Sequence, residues 1–128
     1  MRHLPAVALL VAGLVHLLPL PGVLGAPALQ RLYGLDVTGP DLAILLQHRA
    51  VLFGVLGAFM LVAVVQPSLR VPASLVGLAS AAAFVAVAWH VGGYNGAIRR
   101  VVIADIVVCV LLIAGLVAEW ATRPDRTT

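Results

Sequence analysis

Leu42-Ala43-Ile44-Leu45-Leu46-Gln47-His48-Arg49-Ala50-Val51-Leu52-Phe53-Gly54-Val55-Leu56-Gly57-Ala58-Phe59-Met60-Leu61-Val62-Ala63-Val64-Val65 is apolar almost throughout. It follows Pro40 and Asp41 and is closed by Gln66 and Pro67. A segment of this length exceeds the ~20 residues that cross a hydrocarbon core as a helix. It shows none of the alternation of a half-buried strand. Asp41 is the expected helix N-cap.

Three further stretches have the same character. The first runs over 4–20 and meets Pro19 and Pro21, the third over 72–91, and the fourth over 97–120. Pro72 suits a first helical turn, and Gly92-Gly93-Tyr94-Asn95-Gly96 forms the last turn. The chain has 128 residues, 62% of them hydrophobic and 10% charged, against about 25% charged in soluble domains. These features predict an all-α protein, an integral membrane four-helix bundle of up-down-up-down topology, forming one domain over 1–128. The stretch between Pro21 and Pro40 is too long for a tight turn, and 28–35 within it is expected to form a short interfacial helix. Trp89, Tyr94 and Trp120 stand at span ends, as in an aromatic belt. Small residues at Gly54/Ala58 and Gly77/Ala81 predict close helix crossings. The first stretch, with Arg2 before it and Gly25, Ala26 and Ala28 after it, also fits a signal peptide, but its prolines and His16 favour a retained span.

The net charge is +3, every basic side chain is Arg, and the arginines form no stripe. This points to lipid head groups rather than nucleic acid as partners. Cys109, the single cysteine, is read as an apolar filler. Arg2, Arg70, Arg123 and Arg126 on one side, against Arg31, Arg99 and Arg100 on the other, place the termini in the cytoplasm and the protein in the inner membrane.

Ionisable side chains inside a span are candidates for function. His48 and Arg49 in the second span and Asp105 in the fourth lie at matching depth; His16 and His90 approach the same leaflet from the other two spans. Tyr94, Asn95, Arg99 and Arg100 lie above them. The set His16, His48, Arg49, His90, Tyr94, Asn95, Arg99 and Asp105 is therefore expected to line one pocket that opens on the side opposite the termini. It would take a small polar or anionic ligand or a lipid head group, with Arg49 as anion anchor and Arg99 or Arg100 at the mouth. Alternatively, Arg49 and Asp105 pair as a clasp that sets helix register in a structural or assembly subunit. A haem b held between His48 and His90, or His16 and His48, is a third reading; otherwise no cofactor or metal is expected. An acid–base enzyme using His48 and Asp105 is the least supported, since no nucleophile motif accompanies them. A protomer this small suits a homo-oligomer.

Leu32-Tyr33-Gly34-Leu35 and the segment Asp41 to Gly54 resemble a group of small bacterial four-helix membrane proteins, with His48-Arg49-Ala50 as the most specific part. Gly92-Gly93-Tyr94-Asn95 and Arg99 to Asp105 match the same group, so the resemblance covers nearly the whole chain. The layout is similar, more loosely, to DoxX-like proteins. The resemblance implies a four-helix membrane fold and no catalytic residues. Proteins of this group often carry the label phosphopantetheine adenylyltransferase. The soluble enzyme of that name holds nucleotide phosphates with a His-x-Gly-His motif. Here His48 is followed by Arg49 and Ala50, and His90 by Val91 and Gly92, so that activity is not supported.

Overall fold

The computed structural model describes residues 3–121. Arg2, Arg123 and Arg126, used above for orientation, and the polar tail after Ala121 lie outside the described residues. Five helices follow in order: α1 Leu4–Leu17, α2 Ala26–Tyr33, α3 Pro40–Val65, α4 Arg70–Val91 and α5 Gly96–Ala121. Short 3-10 turns cover Leu20–Leu24 and Pro67–Leu69. Four apolar stretches are long enough to cross a membrane: Leu4–Leu24, Pro40–Val65, Pro67–Val91 and Gly96–Ala121.

The helix ends follow proline and glycine chemistry. Helix α3 begins at Pro40, not after Asp41, because proline has no N–H to lose at a first position. Gly39 is the N-cap, without a side-chain cap bond, and Asp41 sits inside the first turn. There its carboxylate still complements the positive end of the helix. Helix α2 starts two residues before the expected 28 and stops at Tyr33, because Gly34 closes it in the left-handed conformation (φ 62°). It is anchored by burial as well as by its amphipathic face: Leu29 and Tyr33 are buried while Arg31 is exposed. At the far end of α3, Arg70 Nη2 donates to the Val64 carbonyl at 3.2 Å, satisfying one of the last carbonyls of that helix.

Helix α1 takes the central place, packed against both α3 and α5, and α4 packs chiefly against α5. A Cβ on Gly57 would lie 2.9 Å from the Gly13 carbonyl oxygen, and one on Gly13 would lie 3.1 Å from the Gly57 oxygen. The backbones of α1 and α3 therefore meet at these two glycines. Gly13 also faces Leu61, and Gly54 faces Leu20, so the two helices run antiparallel. Of the small-residue pairs expected, Gly77 and Ala81 are buried. Ala58 instead is exposed, and Gly57 takes the crossing that Gly54/Ala58 was expected to make. The core cluster includes Leu9, Ala12, Met60, Ala73, Val108 and Leu112. Outside it the surface is apolar: Val55, Val110 and Val117 are each over 60% exposed, a face that water-soluble proteins rarely present.

Adding one methyl at the crossing should be costly, because backbone rather than a flexible side chain stands in its way. Gly57→Ala is expected to lower unfolding stability in detergent by about 1–3 kcal/mol. Ala58→Leu, on the exposed face, should change it by under about 0.5 kcal/mol.

Candidate functional site

A cavity of about 200 Å³ lies between α1, α3 and α5 beneath α2. Helix α1 contributes Val15 and His16, and the residues just beyond it contribute Leu18 and Pro19; α2 contributes Leu32 and Tyr33. Arg49 and Phe53 come from α3, and Ala97, Arg100, Val101, Ala104 and Asp105 from α5. Arg49 and Asp105 each stand about nine residues beyond their helix starts, or about 13 Å along the axis, which gives the matching depth read from the sequence.

His16 and Asp105 are almost wholly buried, at 1% and 3% exposure. The His16 ring lies nearly parallel to Phe53, with centroids 5.3 Å apart and planes 22° apart. Its Nδ1 sits 2.9 Å from the Ala12 carbonyl oxygen. A carbonyl only accepts, so Nδ1 carries a proton, and in the neutral imidazole Nε2 is then a lone pair. Among the described residues that Nε2 has no hydrogen-bond partner; neither has Arg49 Nη2 nor Asp105 Oδ2. The fourth such atom among the described residues, Arg70 Nε, belongs to the opposite end of α3. A buried polar atom left unmatched costs about 1–3 kcal/mol, and three of them belong to side chains that line one cavity.

Arg49 is held differently from expectation. Among the described residues no hydrogen bond or ion pair joins it to Asp105, so the direct clasp is not made. Its guanidinium carbon instead lies 5.3 Å from the ring centre of Tyr33, 4.8 Å from Phe53 and 5.0 Å from Phe84. Rings at these distances attract the cation through their negative faces. Sequence reading missed Phe53 and Phe84 as site residues. Phe53 had a signal, since it stands four residues from Arg49 on one helix face; Phe84, from another helix, had none.

The other expected residues separate. His48 is exposed and lines another groove with Ser80, Arg49 and Phe53 forming the wall between that groove and the central cavity. His90 is exposed at the end of α4. Of the histidines proposed as a haem pair, only His16 lines the central cavity. Tyr94 and Arg99 line a surface depression beside Trp89, and Arg100, not Arg99, stands at the central cavity. No group of three or more His, Cys, Asp or Glu suited to a metal occurs among the described residues.

Asn95 has a structural task. Its Oδ1 accepts from the Ile98 N–H at 2.9 Å, capping α5. Its Nδ2 donates to the Tyr33 carbonyl at 2.9 Å and reaches the Gly34 carbonyl at 3.5 Å. One amide thus starts α5 and holds the end of α2 over the cavity. Comparison of the chain with known protein families, with curated proteins and with solved structures returns no match, so the site is read from its geometry.

Asn95→Ala should remove both contacts. The expected loss is about 1–2 kcal/mol in thermal unfolding, with faster amide exchange in 26–34 than in α3.

Proposed function

We propose that this chain is a polytopic inner-membrane protein whose central cavity binds a small polar molecule or a lipid head group. The observation that carries this reading is that His16, Arg49 and Asp105 line one cavity and that each has a buried polar atom, Nε2, Nη2 and Oδ2, with no hydrogen-bond partner among the described residues. Polar groups placed on separate helices of an apolar bundle are costly unless something answers them. The resemblance of the His48-Arg49-Ala50 segment to small four-helix membrane proteins supports the same setting.

Binding is favoured over chemistry because the lining offers no Ser, Thr or Cys to act as a nucleophile. The apolar outer surface suits both lipid and a second copy of the chain. With cytoplasmic termini, as we propose, the cavity lies in the outward half of the membrane.

Ala104 lines the cavity as a small side chain, so Ala104→Phe should fill it without touching the polar atoms. Protein purified in native lipid particles should carry a stoichiometric small molecule detectable by native mass spectrometry. Ala104→Phe should reduce its occupancy by about tenfold or more, corresponding to at least about 1.4 kcal/mol. Identical cargo in both proteins would sink the reading.

A further inference from the structure

We infer that the cavity selects a neutral, hydroxyl-bearing amphiphile, and discriminates against one with an anionic head. This rests on the proposed binding function and specifies its ligand.

The polarity of each unmatched atom carries the argument. In the neutral imidazole His16 Nε2 is a lone pair, because Nδ1 donates its N–H to the Ala12 carbonyl. Asp105 Oδ2, as a carboxylate oxygen, also accepts. Arg49 Nη2 only donates. The complementary head must therefore donate twice and accept once. A carboxylate or phosphodiester can only accept. It would set lone pairs against His16 and Asp105 while satisfying Arg49 alone.

Charge leads to the same conclusion. Arg49 and Asp105 carry opposite formal charges within one cavity, so the buried set needs no counter-ion. The remaining cation of the lining, Arg100, is exposed and is answered by water or head groups at the mouth. A net anion brought inside would be held by one guanidinium that three aromatic rings already surround, with a carboxylate nearby.

Size and lining give the rest of the molecule. An apolar cavity of about 150 Å³ takes one benzene ring, so about 200 Å³ holds a head of ring or glyceryl size and little more. Val15, Leu18, Leu32 and Val101 make the remaining wall apolar. An attached chain then runs out along them, and the ligand is one that partitions into lipid. Two hydroxyls on a short carbon frame satisfy all three atoms, since each hydroxyl both donates and accepts.

The test uses one acyl chain with three heads: monododecanoylglycerol, dodecanoate and methyl dodecanoate. Each is titrated at about pH 8, where a free carboxyl is ionised, into the full chain in phosphatidylcholine nanodiscs, whose lipid has no hydroxyl donor. Binding to wild type, Ala104→Phe and Asp105→Asn is read by native mass spectrometry. We expect the glyceride to bind wild type at least about tenfold more tightly than the other two, and to be lost in Ala104→Phe. Asp105→Asn removes the negative charge and adds an N–H donor, so dodecanoate should gain about tenfold there relative to the glyceride. Dodecanoate binding wild type as tightly as the glyceride, in a manner sensitive to Ala104→Phe, would overturn the ligand class and leave the binding reading standing. An unchanged preference in Asp105→Asn would do the same. Binding of all three unaffected by Ala104→Phe would overturn both, and binding of none would overturn the ligand class. If Ala104→Phe does not fold, Val101→Phe fills the same wall from one turn earlier and is read identically.

Discussion

The backbone contact between Gly13 and Gly57 sets where everything above it falls. Antiparallel helices keep the sum of paired residue numbers nearly constant, so a crossing fixed at one level fixes the next. One turn further along α1 is His16, and one turn back along α3 is Phe53; these are the rings that stack at 5.3 Å. One more turn back on α3 is Arg49, over the same Phe53. Helix α5 is indexed in the same way: Gly115 lies against Ala8 and Pro5, which puts Asp105 at the level of His16. Gly77 lies against Met60 and Leu112, and seven residues on, two turns along α4, Phe84 arrives over Arg49. Small residues in the lower half thus place aromatic and polar residues in the upper half.

Arg49 shows how such a set is tolerated. A guanidinium removed from water loses hydration that a carboxylate pair would ordinarily replace. Here three rings replace part of it, each attracting the cation by about 0.5–2 kcal/mol according to how dry the site is. The rings offer no strong acceptor to the guanidinium N–H groups, and Nη2 has no hydrogen-bond partner among the described residues. A direct bond to Asp105 would have taken one or two of the five guanidinium N–H donors and part of the carboxylate. The cage holds the charge without taking any of them.

Much of this was legible in the sequence, and the rest was not, for a definite reason. The spans, their order and the shared depth of Arg49 and Asp105 follow from apolar length and the fixed rise of a helix, so they could be read directly. His16 was also legible as a residue of the same half of the bundle. What failed was rotation. His48 and Arg49 are neighbours in sequence but about 100° apart around the helix, and only packing determines which of them faces inward. Asn95 was read as a lining residue, but its task depends on where the α2 carbonyls end, and Gly34 decides that; Arg99 lies instead in the depression beside Trp89. The absence of the Arg49–Asp105 bond was out of reach because Phe84, from the third long helix, occupies the space around the guanidinium.

The two halves of the bundle divide stability and function between them. Toward the chain ends Leu9, Met60, Ala63, Ala73, Val108 and Leu112 form the buried core. In the bilayer setting we propose, lipid is as apolar as these side chains. Close packing rather than water exclusion must then hold the helices together. The other half carries a cavity and three unmatched polar atoms, each of which lowers stability. Such an arrangement persists where the packed half, the rings around Arg49 and, on the proposed reading, a bound molecule offset that cost. Glycine at the crossing is thus a requirement of the site as much as of the fold: loosening α1 against α3 would weaken the bundle and, one turn above, unstack His16 from Phe53.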